Sequence, residues 1–230
     1  MASSSKSPVS DSQQDQDLSS IEFTNTTLDS KVRAGMEEMR LAGILCDVTL
    51  VAGNVDIQAH KLVLANTSQY FYSMFAKDFK ETECYRVVMQ GLEPEILTLL
   101  IKYCYLSIIT ITQDSVTNLY SSSRMLQFWD VTKACSQFLM NQIQPENCLE
   151  IKTFAKAHDD IDLVSKCDSY ILEHFGEIMK QEEFLKVNKE DLLVFITSDN
   201  IGLENHFRGL SIKECSHYTR RWIRQGVQEE

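Results

Sequence analysis

The seven cysteines carry the most reactive side chains of this sequence. They lie at Cys46, Cys84, Cys104, Cys135, Cys148, Cys167 and Cys215. Their number is odd and no C-x-x-C spacing occurs, so neither a disulfide framework nor a zinc site is predicted. Most have apolar neighbours, which favours reduced, buried packing residues. The alternative is a redox or electrophile sensor, which needs an exposed thiol of low pKa beside basic residues. Cys84 and Cys215 fit that alternative best.

Histidine, serine and glycine patterns give no further chemistry. His60 has no cysteine or histidine at ligand spacing, and we predict a structural, hydrogen-bonded histidine. The pair Cys215-x-His217 is too short to indicate a metal site. The sequence contains no G-x-S-x-G, no P-loop and no G-x-G-x-x-G. We therefore expect no enzymatic activity, no cofactor and no metal.

Charge and hydropathy narrow the classes of partner. The 230 residues include 33 acidic and 22 basic side chains, a net charge of −11. Such a chain is repelled by phosphate backbones and anionic membranes, so we expect neither nucleic acid nor membrane as a partner. The N-terminus is rich in Ser, Gln and Asp and has no apolar segment, so no signal peptide or transmembrane span is predicted. A cytoplasmic or nuclear protein is expected.

The first half of the chain predicts a small mixed sheet with helices. Residues 1–27 are polar and predicted to be disordered. Leu28, Val32, Met36 and Met39 follow at helical spacing and predict one helix that ends near Gly43. The further predicted elements are a hairpin over 46–58 with its turn at 53–54, two short helices over 61–78, a strand over 85–89, a helix from Pro94 and a strand over 108–112. This order is typical of an α+β domain.

After Asp114 the spacing of apolar residues is helical throughout. One helix is predicted around residues 131–139, a second is opened by Pro145, and a third spans 163–175. Further helices are expected over 189–197 and 212–224, where Trp222 needs a packing partner. The C-terminal half is predicted to be an all-α array.

Several short strings, in order, resemble a known family. The strings are LCDVTL at 45–50, AHKLVLA at 59–65, SQYF at 68–71 and MF at 74–75, followed by FL at 138–139, NCL at 147–149, FA at 154–155, EFL at 183–185 and SDN at 198–200. The first group resembles the BTB/POZ domain, and the second resembles the 3-box and BACK helices of kelch-like proteins. The resemblance implies an α+β BTB/POZ domain over 28–142 and an all-α 3-box and partial BACK array over 143–230. No glycine-rich kelch repeat is readable in the 230 residues.

The resemblance implies a dimer of BTB domains. Asp47 and Lys61 correspond to the acidic and basic positions of a charged pocket at the two-fold interface. Val32 and Met36, on the first helix, are expected to contribute apolar contacts to the same interface. The alternative is that Asp47 only caps a turn and that Lys61 is solvated.

The resemblance also implies docking of cullin-3, the scaffold of a RING ubiquitin ligase. Phe79-Lys80-Glu81 matches the hydrophobic-x-Glu string that engages the cullin, with Phe79 as anchor and Glu81 for orientation. Tyr105 occupies a cullin-facing position, although Leu106 and Ser107 replace the family's Thr-Gly. From the 3-box, Ile151, Phe154 and Tyr170 are candidates for a groove that holds the cullin's N-terminal extension, and simple helix packing is the alternative for each. The serines at 121–123 replace small apolar residues, so their helix is expected to pack less tightly.

These expectations lead to a non-catalytic, dimeric adaptor of a cullin-3 ubiquitin ligase, with an unknown protein as substrate. One alternative is a shortened regulator that forms heterodimers with full-length kelch-like adaptors and inhibits them. Another is a BTB scaffold for transcriptional corepressors, for which the sequence offers no zinc finger and no basic patch.

Overall fold

The computed structural model of the protein describes residues 22–76, 85–188, 191, 192 and 195. The first helices and strands in chain order are α1 (Leu28–Leu41), β1 (Val48–Ala52), β2 (Val55–Ala59), α2 (Lys61–Thr67), α3 (Gln69–Phe75), β3 (Tyr85–Val88) and α4 (Pro94–Leu106). The helices that follow are α5 (Val116–Met125), α6 (Trp129–Asn141), α7 (Cys148–Ala157), α8 (Ile161–Glu173) and α9 (Phe175–Ile178), and a short 3-10 helix covers Glu182–Lys186. An α+β unit thus precedes an all-α one, as predicted.

The sheet of the described residues has the strand order β2-β1-β3. β1 and β2 form the predicted antiparallel hairpin, in which Ala52 pairs with Val55 around the turn. β3 lies parallel to β1 on its other side, with Val48 paired to Tyr85. Val48, Leu50 and Ala52 of the central strand are completely buried and form the floor of the core. The sheet is therefore mixed and small, as the sequence indicated.

The strand predicted over 108–112 is wrong. This segment follows α4 without helix or strand, because none of its backbone groups takes part in a strand ladder with the described residues. Ile108 is largely exposed, and Ile109 and Ile111 only partly cover the core. β-branched residues alone do not make a strand when no neighbouring strand supplies hydrogen bonds.

Local signals explain where the helices begin. Pro94 occupies the first turn of α4, where its missing N–H costs no hydrogen bond. Ser68 separates α2 from α3: its hydroxyl accepts from Phe71 N (3.2 Å) and donates to the Leu126 carbonyl (2.7 Å). Pro145 does not open α7 directly, since it lies in the turn before Cys148. The break at Ser68 thus also joins α3 to the turn between α5 and α6.

The serines of α5 do not loosen its packing, contrary to the expectation. Ser122 and Ser123 are buried, and the Ser123 hydroxyl lies 2.9 Å from the hydroxyl of Thr132 on α6. It also donates to the Tyr120 carbonyl at 2.9 Å. Small hydroxyls that satisfy one another let the two helices approach closely.

A buried charge connects α7 and α8 to residues further along the chain. Lys152 is 4% exposed, and its ammonium lies 2.6 Å from Asp168 and 3.0 Å from Asp191. The same group lies 4.2 Å from the centre of the Phe195 ring. Asp191, Leu192 and Phe195 are helical, in agreement with the helix predicted over 189–197. The helix predicted over 212–224, with Trp222, lies outside the described residues.

Candidate protein-interaction surfaces

Helix α1 presents an apolar stripe to solvent. Leu28 and Val32 are each about half exposed (51% and 48%), and Met39 is partly buried. Met36, which the sequence placed on the same face, turns towards the domain's own core and packs against it. Of the two residues predicted for the dimer contact, Val32 is thus accessible to a partner, whereas Met36 packs mainly against the core of its own chain.

The inner side of α1 is polar. Glu37 is buried, and its carboxylate accepts two hydrogen bonds from Arg40, at 2.7 and 2.8 Å. This side-chain hydrogen bond raises the pKa of the Arg40 guanidinium, which also lies 5.4 Å from the centre of the Tyr105 ring. A bidentate pair satisfies both charges away from bulk water. The helix is therefore docked through this charged pair together with Met36, while Leu28 and Val32 remain accessible.

Tyr105 has no exposed surface, so the predicted direct contact with a cullin is corrected. Its hydroxyl lies 2.8 Å from both the backbone nitrogen and Nδ1 of His60. The other ring nitrogen, Nε2, lies 2.9 Å from the carbonyl of Ile44. Since a carbonyl only accepts, Nε2 carries the proton, and the Tyr105 hydroxyl donates to Nδ1 and accepts from the His60 N–H. His60 is structural, as predicted.

This network holds the loop between α1 and β1. Ile44 and Leu45 in that loop are exposed, and Leu45 has a left-handed backbone (φ 59°) that a leucine rarely adopts. Leu62 at the start of α2 is also exposed, at 73%. Exposed apolar side chains on adjoining elements are typical of an interaction surface.

Asp47 has a role within the chain. Its carboxylate accepts from the backbone N–H of Lys61 at 2.7 Å, at the first residue of α2. An acidic group at this position caps the helix and interacts favourably with its dipole. Asp47 is exposed and Lys61 half-buried, and their predicted place in a pocket shared by two chains stays a prediction.

Phe79 and Glu81, the predicted cullin anchor and its orienting carboxylate, lie outside the described residues. Three large side chains that the sequence did not single out are exposed on the described elements. Tyr72 on α3, Met125 on α5 and Trp129 on α6 are exposed at 53, 45 and 56%. In the core, α3 meets the start of α6, where the rings of Phe71 and Phe128 pack with their centres 6.3 Å apart.

The 3-box candidates are used mainly for packing. Ile151 is buried in the core, which corrects its predicted place in a groove. Phe154 is half-buried, and its ring packs against Tyr120 (5.2 Å) and His158 (4.5 Å). Tyr170 is also half-buried and stacks on His174 at 4.1 Å. Phe154 and Tyr170 therefore keep some surface for a partner, whereas Ile151 keeps almost none.

The α7–α8 pair is fixed to α5 by polar contacts. The Tyr120 hydroxyl donates to Asp160 at 2.9 Å, and the Ser121 hydroxyl lies 3.1 Å from Nε2 of His158. Asp160 also caps α8 by accepting from Leu163 N at 3.0 Å. Burial and then the Asp160 contact raise the pKa of Tyr120 to about 12, so its hydroxyl stays protonated and donates. Tyr120 and Ser121 thus add an aromatic and polar contact to the apolar packing that joins the two parts of the chain.

Four of the five described cysteines are buried and unreactive. Burial raises the pKa of Cys104, Cys135 and Cys167 to about 12, and that of Cys148 to about 11. Such thiols stay protonated at neutral pH and are poor nucleophiles. These four cysteines are packing residues, as predicted, while the sensor candidates Cys84 and Cys215 lie outside the described residues.

The described ranges contain neither a cluster of metal-ligating side chains nor a membrane-spanning helix. No group of three His, Cys, Asp or Glu side chains there could hold a metal ion. None of the helices in this part of the chain has the length and apolar character to cross a bilayer.

Comparison with known proteins identifies the two halves. Residues 36–143 match the family model of the BTB/POZ domain, and residues 148–227 match that of BACK, "BTB And C-terminal Kelch". Human Kelch-like protein 2 is 38% identical over 170 residues, which cover 74% of this chain and 29% of the relative. Human Kelch-like protein 3 is 37% identical over 166 residues, with 72 and 28% covered.

The chain therefore spans less than a third of the length of these relatives. Among solved structures, the BTB domain of zebrafish PATZ1 aligns at 22% identity with a TM-score of 0.49, over 54% of this chain and all of that one.

Proposed function

The chain belongs to the kelch-like family through its BTB/POZ and BACK domains, and we propose that it serves as a non-catalytic, dimeric adaptor that binds cullin-3 in a ubiquitin ligase. The protein to be ubiquitinated is its further partner. The cytoplasm is the compartment we propose, with the nucleus as the second.

The observation that carries the cullin proposal is the apolar surface of Tyr72, Met125 and Trp129. These large side chains are exposed on α3, α5 and α6, and Phe71 of α3 packs against Phe128, which precedes α6, with ring centres 6.3 Å apart. The string Phe79-Lys80-Glu81 follows α3 directly along the chain. Binding energy at protein interfaces is concentrated in a few aromatic anchors, and an anchor beside a carboxylate adds orientation. An interface centred on this surface would use both features.

Tyr103 on α4 supports the proposal from inside the domain. Its ring packs against Phe128 with ring centres 6.2 Å apart, and Phe128 in turn packs against Phe71. The aromatic residues under the proposed surface are therefore fixed by the core. A rigid surface loses less side-chain entropy on binding than a mobile one.

Dimerisation is supported by the exposed apolar side chains at one end of the domain. Leu28 and Val32 on α1, Ile44 and Leu45 in the following loop, and Leu62 on α2 are all exposed in the single chain. Covering them with a second chain would remove apolar surface from water.

Calorimetric titration of the 230-residue chain with the N-terminal domain of cullin-3 tests the proposal, with the mass in solution measured alongside. We expect sub-micromolar binding by a dimer. The double variant Phe79→Ala with Glu81→Ala, and separately Trp129→Ala, should each weaken binding by at least ~2 kcal/mol, as truncation of an interface anchor does. Val55→Thr, which changes an exposed apolar residue on the edge strand β2, is the matched control and should leave the affinity unchanged.

A folded dimer that does not bind the cullin would contradict the adaptor proposal. It would leave a dimerisation module that acts through the BTB chains with which it pairs.

A further inference from the structure

We infer that Lys152 of α7 is a positioning residue for the cullin contact. Its ammonium fixes α8 against α7, and it thereby sets the relative places of Phe154 on α7 and Tyr170 on α8, which keep surface for a partner. The inference rests on the proposed binding of cullin-3 and adds a residue that acts on this contact from the interior.

The first observation is that Lys152 is charged and yet buried. It is 4% exposed, and its ammonium lies 2.6 Å from Asp168 of α8 and 3.0 Å from Asp191. Oδ1 of Asp168 is buried as well and makes no hydrogen bond to the described residues, so this ionic contact compensates its charge. Desolvation offsets much of such an attraction, and apolar residues of similar volume often give equal or greater stability. Stability alone therefore does not explain a lysine at this position.

The second observation is the place of the contact along the helix pair. Near the turn that joins the two helices, Asp160 holds the start of α8 by accepting from Tyr120 of α5 at 2.9 Å. Asp168 lies further along α8, two residues before Tyr170. The side chains buried between these two points are apolar, and apolar contacts have no preferred direction. They are Ile151, Ala155, Leu163 and Cys167. The contact of Lys152 with Asp168 is thus placed to fix the end of α8 that carries Tyr170.

The third observation is incomplete packing on the other side of Lys152. A cavity of about 510 Å³ lies where α7 faces the residues after α9, and its lining includes Leu149, Lys152, Val187 and Phe195. Because close packing is interrupted there, the ionic contact with Asp191 and the ring of Phe195, 4.2 Å from the ammonium, hold this part of the chain to α7. One ammonium group therefore sets the positions of three helical segments.

Exchanging the charges for apolar residues separates position from stability. The triple variant Lys152→Met, Asp168→Leu and Asp191→Leu leaves no buried charge without a partner, so its melting temperature should equal or exceed that of wild type. Its affinity for the N-terminal domain of cullin-3 with its N-terminal extension, measured by calorimetric titration, should nevertheless fall about tenfold, because α8 can shift on α7. A residue with only a structural role would not separate the two measurements.

Two single substitutions serve as controls. Lys152→Arg should keep the affinity within about twofold of wild type, because a guanidinium can contact both carboxylates. Lys156→Met is the matched control, since Lys156 also contacts Asp191, at 2.5 Å, but from an exposed position on the same helix. It should likewise leave the affinity within about twofold of wild type.

Asp168→Asn is the second test variant. It keeps the size of the side chain and leaves Lys152 paired with Asp191, so the chain should fold, and its affinity should fall about threefold. Wild-type affinity of Asp168→Asn or of the triple variant would overturn the positioning role and leave the proposed cullin binding intact. A triple variant whose melting temperature and affinity fall together would overturn it too, because Lys152 would then act through stability. A wild-type chain that does not bind cullin-3 would overturn both proposals.

Discussion

Replacing Tyr105 with phenylalanine isolates the contribution of one buried hydroxyl. The change removes the two hydrogen bonds to His60, each 2.8 Å long, and keeps the ring in the core. It leaves a backbone N–H and the ring nitrogen Nδ1 without their partner in a half-buried place. Orphaned groups of this kind cost about 1–3 kcal/mol, so we expect the free energy of unfolding to fall by about 2 kcal/mol.

The assay is equilibrium unfolding in urea, followed by far-ultraviolet circular dichroism. The expected loss lowers the midpoint without changing the slope, since the surface exposed on unfolding is the same. In a thermal scan it corresponds to a melting temperature about 4–8 °C lower for a chain of this size. Tyr103→Phe is the matched control. Its hydroxyl makes no hydrogen bond to the described residues, and we expect a change below about 0.5 kcal/mol.

The same variant separates a buried support from a partner contact. If Tyr105 only supports the domain, the affinity of the folded variant for cullin-3 should stay within about twofold of wild type, because the removed hydroxyl lies in the interior. Stability equal to that of Tyr103→Phe would show that the His60 network contributes nothing. A large loss of cullin affinity without loss of stability would support a direct contact between Tyr105 and the cullin, which the burial of Tyr105 argues against.

Two further substitutions test polar contacts between helices, at Ser68 and at His158. Ser68→Ala removes the cap of α3 and the bond to the Leu126 carbonyl, and should lower the free energy of unfolding by about 2 kcal/mol in the same urea assay; a loss below about 0.5 kcal/mol would contradict this. His158 has its pKa lowered, first by burial and then by Arg124, against the opposing effect of Asp159 and Asp160. Between the folded pKa and the unfolded value of about 6.5 the unfolded chain binds more protons, so this histidine costs stability as the pH falls through that window. The free energy of unfolding of the wild type should therefore fall more between pH 7.5 and about pH 5.5 than that of His158→Gln. Equal decreases in the two proteins would contradict this prediction.

The hairpin and α4 could be predicted because their patterns are local. Ile57 and Ala59 alternate with exposed neighbours, and Leu97, Leu100 and Ile101 recur on one face, so the sequence itself records which sides are buried. The segment 108–112 has the composition of a strand but no partner strand. Its state depends on distant backbone groups, which no local pattern encodes.

The burial of Tyr105 was also readable in the sequence. It lies four residues after Ile101 and eight after Leu97, on the face of α4 that the spacing had already assigned to the core. The resemblance to a family placed it at a partner surface instead. Helical periodicity reflects how this chain itself folds, and here it predicted the burial of the Tyr105 side chain better than the resemblance did.

The orientation of α1 was not readable, for a physical reason. Spacing alone shows that α1 has an apolar stripe but not whether this stripe faces the domain's own core or a second chain, and it was the family resemblance that placed Val32 and Met36 at a second chain. The structure docks α1 through Met36 and through Glu37 and Arg40, which neutralise each other, with Arg40 near the Tyr105 ring. A charge pair that is satisfied internally can be buried at a small net cost, and sequence spacing does not show that two polar residues will meet in this way.

The polar docking of α1 links the stability of the domain to its assembly. The network from Arg40 through Tyr105 and His60 fixes both α1 and the loop that presents Ile44, while Leu28 and Val32 of α1 stay exposed in the single chain. A change that weakens the network should therefore weaken the dimer as well, because the surface is no longer held in one conformation before association. Tyr105→Phe should raise the dimer dissociation constant, whereas the control Tyr103→Phe should leave it unchanged. If Tyr105→Phe destabilises the chain but leaves the dimer dissociation constant unchanged, the surface that pairs the two chains does not include α1.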